Sequence, residues 1–346
     1  MKKKIIFAIV PIIIILAIGF KIFKDAEKVI KYPFSQNKGD ITVTVDEGDS
    51  LSKVINTLNK EKKIGNSYLI KWYIKKQNLS TNIKPGAYTV SKDMSTEAFL
   101  NVLNKGKNEN AIKVTIPEGY NIEAIASILE QKQIISKDEF IKSVKEYTLP
   151  SYVKDDENRK YALEGYLFPD TYAFDKEMSG KEIIDLMIKN FERVIDDLEK
   201  SNNKTLDADE LDKIITMASI VEKEAEASDE RPTVASVFYN RLKKPMPLQS
   251  CATIEYALGV HKTVYTYKDL EVDSPYNTYK VPALPVGPIC NAGKASIEAA
   301  MNPAETTHLY FVSKFDGTKT HFFTNDYKKF QQYKKVSDEN LAKMNK

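Results

Sequence analysis

Two stretches of this chain are variants of one pattern. ITVTVDEGDSLSKVINTLNKEKKI occupies residues 41–64, and IKVTIPEGYNIEAIASILEQKQII occupies 112–135. Each opens with every second residue apolar, Val43 and Val45 in the first copy, Val114 and Ile116 in the second. That period of two suits a strand with one buried face. A Glu-Gly turn follows, and the period then changes to that of a helix: Leu51, Val54, Ile55 and Leu58, then Ile122, Ile125, Ala126 and Leu129. A strand and a helix alone cannot hide both apolar faces, so the duplication requires further elements packed against each copy. Between the copies the pattern predicts a helix over 67–76, a strand over Gly86–Val90 and a helix over Thr96–Leu103. Helices are also predicted near 137–146, 181–200, 253–258 and 295–300, a hairpin from Leu309–Ser313 and Lys319–Thr324 around Asp316-Gly317, and a charged helix from Tyr327 to about Lys343. The interleaving reads as an α+β fold, and 346 residues suffice for about two domains.

The richest chemistry lies in Ile214–Leu258. Met217, Ile220, Val221 and Glu224 recur on one helix face, so Glu224 continues an apolar stripe, whereas Glu222 falls roughly opposite. A carboxyl on an apolar face is costly to ionise, and a raised pKa suits a general acid. A glutamate in the last turn of a helix is also an ordinary solvated end, as Glu222, Glu226, Asp229 and Glu230 are read to be. After an acidic turn a second helix opens near Pro232, with Val234, Val237, Phe238 and Leu242 as its stripe, and runs into Asn240-Arg241. The loop beyond carries Gln249, Ser250 and Thr253, and a Pro-rich segment further on carries Asn277, Thr278 and Tyr279. These groups suit the binding of hydroxyls and amides. Tyr166, Phe168 and Tyr172 are read either as core or as a wall on which a sugar stacks.

The words ASIVEKE (218–224), ASVFYNRL (235–242), MPLQS (246–250), SPYNTY (274–279) and LPVGPI (284–289), preceded by LEGYLFPDTY (163–172), resemble the endolytic murein transglycosylase family, called MltG-like or YceG-like. The resemblance runs from the N-terminal apolar segment to the final helix. It implies that Glu224 is catalytic and that peptidoglycan glycan strands are the substrate. The reaction implied cuts between N-acetylmuramic acid and N-acetylglucosamine and leaves a 1,6-anhydro end. It implies no cofactor and association with wall-synthesis machinery, while Asn240, Gln249, Ser250, Thr253, Asn277, Thr278 and Tyr279 stand as substrate-binding candidates on their hydrogen-bonding side chains. One departure is that Cys251-Ala252 stands where family members often carry Asp-Pro. The first repeat copy is similar to a LysM-type unit, a small glycan-binding fold; a purely structural βα unit remains the alternative.

Ile5 to Phe23 is apolar apart from Lys21, and as a helix it would span about 28 Å, close to the hydrocarbon core of a bilayer. Lys2, Lys3 and Lys4 precede it, which places the N-terminus in the cytoplasm and the rest outside a single-pass anchor in the cell membrane; a cleaved signal peptide is the alternative. The expected organisation is an anchor over 1–23, a stalk over 24–40, a LysM-like module with the βα repeat over 41–150, and a catalytic domain over 151–346. Removing the four lysines that flank the apolar run from the net +3 leaves −1, so no basic field remains for nucleic acid. His261, His308 and His321 are scattered and form no metal-ligand pattern, and His321 reads as a structural histidine. Cys251 and Cys290 both fall in words of the catalytic half, and in an oxidising exterior they are expected to lie within bridging reach.

A hydrolytic muramidase is the nearest rival, and it needs a second carboxylate, for which Asp170 and Glu164 are the candidates. A scaffold that binds peptidoglycan without cutting it is the rival from another class.

Overall fold

The computed structural model describes residues 24, 29–105, 111–176, 178–262 and 264–344. The apolar run, and the anchor expected from it, lie outside those residues. Among the described residues no helix is long and apolar enough to cross a membrane. The chain forms two compact units, divided between Glu109 and Asn110.

The first unit follows the order β–α–α–β–α. Strand β1 (Ile41–Val45) pairs antiparallel with β2 (Gly86–Val90), Val43 opposite Tyr88. Helices α1 (Leu51–Lys60) and α2 (Ser67–Lys76) lie between them in sequence, and α3 (Thr96–Lys105) follows. Ser50 and Asn66 cap α1 and α2 by accepting backbone N–H bonds of the first turn. Val43, Val45, Leu51, Val54, Ile55 and Leu58, the residues picked out by the two periodicities, are all buried. Phe34 and Phe99 close the core edge to face, with centroids 4.8 Å apart.

The second repeat copy does not join that unit. Its strand β3 (Ile112–Thr115) pairs antiparallel with β4 (Thr171–Phe174), and its helix α4 (Ile122–Gln131) buries Ile122, Ile125, Ala126 and Leu129 in the core of the second unit. This pairing is why the units divide at 109/110 and not at the expected 150. Helix α5 (Lys137–Lys145) packs against both α4 and α6 (Gly180–Asn202), and a Ser179–Glu182 capping box starts α6.

The central element is α7 (Ala208–Glu224), in which Ile215 through Val221 are all buried. It packs against α8 (Arg231–Lys243) and α11 (Lys294–Met301). A single turn of 3₁₀ helix, Ser228–Glu230, joins α7 to α8. Two short helices, α9 (Cys251–Leu258) and α10 (Tyr267–Leu270), lie between α8 and α11; the second was not anticipated from sequence. The hairpin β5 (Tyr310–Ser313) and β6 (His321–Thr324) forms as expected around Asp316-Gly317, and α12 (Tyr327–Met344) follows.

The LEGYLFPDTY word is core and not a sugar-stacking wall. Tyr166 is fully buried and donates to Asp212 Oδ1 (2.8 Å), and the Tyr172 hydroxyl donates to the Phe168 carbonyl (2.6 Å). Gly165 sits at φ +89°, and a Cβ there would lie 2.6 Å from Pro288 and 2.8 Å from Ile215. The chain therefore crosses α7 where only glycine fits. Glu164 is fully buried beside it. Its carboxyl accepts the Ile122 backbone N–H at the start of α4 (3.1 Å), the Tyr256 hydroxyl of α9 (2.9 Å) and the Asn291 amide (3.1 Å).

A buried ion pair closes the side of the unit: Arg159 Nη2 meets Asp212 Oδ2 at 2.6 Å, and Arg159 Nε donates to the Val286 carbonyl at 2.9 Å. Truncating one member strands the other charge in the interior. Asp212→Ala should therefore cost about 3–5 kcal/mol of unfolding free energy in chemical denaturation, and a loss under about 1 kcal/mol would show the pair is not a support.

Candidate active site

Glu224 is the last residue of α7, and the next residue turns to extended backbone. The carboxyl therefore leaves the helix where the apolar packing ends, and it is half-buried. Ser250 Oγ donates to Glu224 Oε1 at 2.5 Å. Ser250 is itself tightly held: its N–H donates to Thr278 Oγ1 (3.2 Å), its carbonyl accepts from Thr253 Oγ1 (2.8 Å), and the Thr253 and Thr278 hydroxyls are 2.8 Å apart. Gln249 adopts φ +53°, an uncommon conformation for a residue with a side chain, and its N–H donates to the Thr278 carbonyl (3.0 Å). This turn directs Ser250 at the acid.

Burial pushes the Glu224 carboxyl above the usual carboxylate range. The Ser250 hydrogen bond, the protonated form of His321, and the Arg241 and Lys223 cations act in the opposite direction and leave the shift upward. Arg241 is fixed by two backbone carbonyls, Leu309 (2.7 Å from Nε) and Leu248 (2.6 Å from Nη1), and lies over the Tyr310 ring. His321 is clamped by Glu230, which accepts its backbone N–H (3.0 Å) and faces its Nδ1 (2.8 Å).

The predicted binding residues divide by what their polar atoms already do. Ser250, Thr253 and Thr278 form the hydroxyl cluster behind Glu224. Tyr279 is half-buried with its hydroxyl 3.1 Å from Cys251 Sγ, and burial pushes its pKa up, so the hydroxyl stays neutral. Gln249 exposes its side chain. Asn240 spends its amide on the Thr306 and His308 carbonyls (2.9 and 3.1 Å), along a cavity of about 840 Å³ that does not include Glu224. Asn277 holds the Leu270 and Val272 carbonyls and the Tyr279 N–H. Both asparagines shape loops.

Glu222 points elsewhere. It faces Arg231 Nη2 (3.4 Å) and accepts the Gly293 N–H (3.1 Å). Glu118, from the Glu-Gly turn of the second repeat copy, shares that pocket, and burial together with the Glu222 charge raises its pKa. Neither candidate for a second catalytic carboxylate reaches Glu224's partners: Glu164 is occupied as described, and Asp170 accepts from Asn190 (2.9 Å).

The expected disulfide is absent, and both cysteines are free. Cys290 is sealed under α7, where its thiol donates to the Ser219 carbonyl (3.3 Å), whereas Cys251 is exposed at the start of α9 beside Tyr279. Burial raises the pKa of both thiols, so neither is an activated nucleophile. Among the described residues no cluster of three or more His, Cys, Asp or Glu is placed to hold a metal ion.

A sequence model described as the YceG-like family matches residues 43–336. The endolytic murein transglycosylase of Bacillus subtilis is 38% identical over 294 residues, covering 81% of each chain. That of Streptococcus pneumoniae is 32% identical over 319 residues, covering 84% of this chain and 57% of its own. Among solved structures, a YceG-like protein of Listeria monocytogenes is 36% identical with a TM-score of 0.57, covering 86% of this chain and 99% of that one.

Ser250→Ala removes a donor that favours the ionised Glu224. A hydrogen bond to a charged group contributes about 1.5–3 kcal/mol, so its loss should raise the Glu224 pKa further. The basic limb of the pH–rate profile should move to higher pH. A limb that stays in place would show that Ser250 does not tune the acid.

Proposed function

The chain belongs to the YceG-like family, and we propose that it is an endolytic peptidoglycan lytic transglycosylase anchored in the cell membrane, with Glu224 as its acid and base. One observation carries the assignment: a single carboxyl, lifted in pKa by burial, is held by a fixed hydroxyl at the mouth of the core. The protonated Glu224 gives its proton to the glycosidic oxygen between N-acetylmuramic acid and N-acetylglucosamine as that bond breaks. The resulting carboxylate stabilises the oxocarbenium-like charge and takes the proton of the muramoyl C6 hydroxyl, whose oxygen closes on C1. The product ends in a 1,6-anhydro ring, and Glu224 is protonated again. No water enters and no second carboxylate is required, which favours this reading over a hydrolytic muramidase. A scaffold without catalysis would have no use for a desolvated acid and a strained turn directed at it.

The first unit supports a LysM-like glycan-binding role. Its β–α–α–β order leaves a groove of about 560 Å³ between the start of α1 and the end of α2, lined by Ser50, Leu51, Ile55, Ile74 and Leu79 among others. Trimming of nascent strands beside the wall-synthesis machinery is the context this arrangement fits.

Glu224→Gln keeps the shape but has no acidic proton. Turnover on purified glycan strands should fall at least about a hundredfold, while Glu222→Gln should retain more activity. The raised pKa means the ionised form is disfavoured in the fold, so stability from this site declines as pH rises through the raised value. Glu224→Gln should therefore unfold at or above the wild-type midpoint at neutral pH. Mass analysis should find wild-type ends about 18 Da lighter than hydrolysed ends, since one group serves as acid and base and no water is added. Reducing ends would support the hydrolase, and full activity in Glu224→Gln would remove the assignment.

The anchored topology has its own check. Protease added to sealed protoplasts should remove residues 25–346, and a protected C-terminus would reverse the orientation.

A further inference from the structure

Helix α2 has an outward face that the proposed activity does not use. Ile70 and Ile74 are buried, while Tyr68 is 84% exposed and Trp72, the only tryptophan of the chain, is 53% exposed. The two rings are four residues apart and so share one face. Lys76 lies over the Trp72 ring at 4.7 Å, and the helix, SYLIKWYIKK, contains no acid. The surroundings carry the same sign. Residues 29–105 contain twelve lysines against seven acids, a surplus of five, whereas residues 111–344 carry thirty-one basic residues against thirty-eight acids.

The start of α2 is also pinned where the chain enters the unit. A Cβ on Gly65 would lie 2.7 Å from Val29 Cγ1, the Gly65 N–H donates to the Pro33 carbonyl, and Gln36 and Asn37 donate to the Lys62 and Lys63 carbonyls (2.7 Å each). Val29 therefore sits against the turn that leads into α2. Phe23, the end of the apolar run, is six residues before Val29, a reach of at most about 20 Å. A face of tyrosine, tryptophan and lysine next to such a tether has the composition of a bilayer interface: rings at headgroup depth and ammonium groups on anionic phosphates. The glycan groove includes neither Tyr68 nor Trp72 in its lining.

We propose that the exposed face of α2 docks on anionic lipid headgroups and holds the first unit flat on the membrane. The proposal rests on the anchored reading given above. The tether makes docking intramolecular, so weak contacts suffice.

Trp72 is its own reporter. The full chain would be reconstituted into nanodiscs of phosphatidylcholine, with or without phosphatidylglycerol, and its emission recorded. The expected result is a blue shift, with quenching by bromine placed high on the lipid chains, only where phosphatidylglycerol is present. Salt near 1 M, where the screening length falls to about 3 Å, should reverse it. Tyr68→Ser with Lys76→Glu, both exposed and outside the groove, should abolish the lipid-dependent shift while Trp72 remains. Identical emission in the two lipids would overturn the proposal. So would a shift produced by soluble glycan strands and indifferent to lipid, which would make the face a sugar-stacking one. Release of the chain from vesicles by alkaline wash would instead remove the anchor. Docking would then be judged from anionic vesicles added to the free chain, where no shift overturns it.

Discussion

The second unit depends on one buried carboxyl. Glu164 gathers the first backbone N–H of α4, the Tyr256 hydroxyl of α9 and the Asn291 amide into a space without solvent. Burial pushes its pKa up to about 8. With the folded value above the ordinary one, its contribution to stability is full at acidic pH and declines as pH rises through about 8. The three segments it joins all lead to the catalytic end. Helix α9 begins at the residue after Ser250, Asn291 lies two residues before Gly293, whose N–H donates to Glu222, and α4 follows the turn that carries Glu118. One buried carboxyl thus sets the register of the loops around Glu224 and Glu222.

Two glutamates on one helical turn illustrate how environment assigns role. Glu222 has an arginine and a backbone N–H as partners, and another carboxylate for a neighbour. Glu224 has a serine hydroxyl, a desolvated surface and cations at a distance. The first is held by structure, and the second is left able to exchange a proton. Their separation of two residues, about 200° around a helix, is what permits such different surroundings.

That distinction could be read from periodicity, because both positions belong to one regular helix. The elements of both repeat copies were legible for the same reason. What periodicity does not carry is which strand pairs with which: β1 and β3 look alike in sequence, yet one pairs within the first unit and the other with β4. The domain boundary was misplaced on that account. The contact between Glu230 and His321 was not legible either, since it spans 91 residues. The aromatics of 163–172 were ambiguous because core and sugar platform use the same side chains. Cys251 and Cys290 shared neighbouring words but not a facing geometry, which only the packing of α7 reveals.

The closing strand β6 has a consequence for the order in which the protein is made. The first unit is finished by residue 105, its sheet closed by β2, so its pairing is complete early in synthesis. The catalytic end draws on Glu164, Glu224, Ser250, Thr278, Asn291 and finally His321, near the end of the chain. A chain made N-terminus first therefore completes the first unit well before it assembles the surroundings of Glu224. Until the last hairpin arrives, Glu230 has no histidine to hold. The surroundings that set the Glu224 carboxyl are therefore complete only once nearly the whole chain has been made.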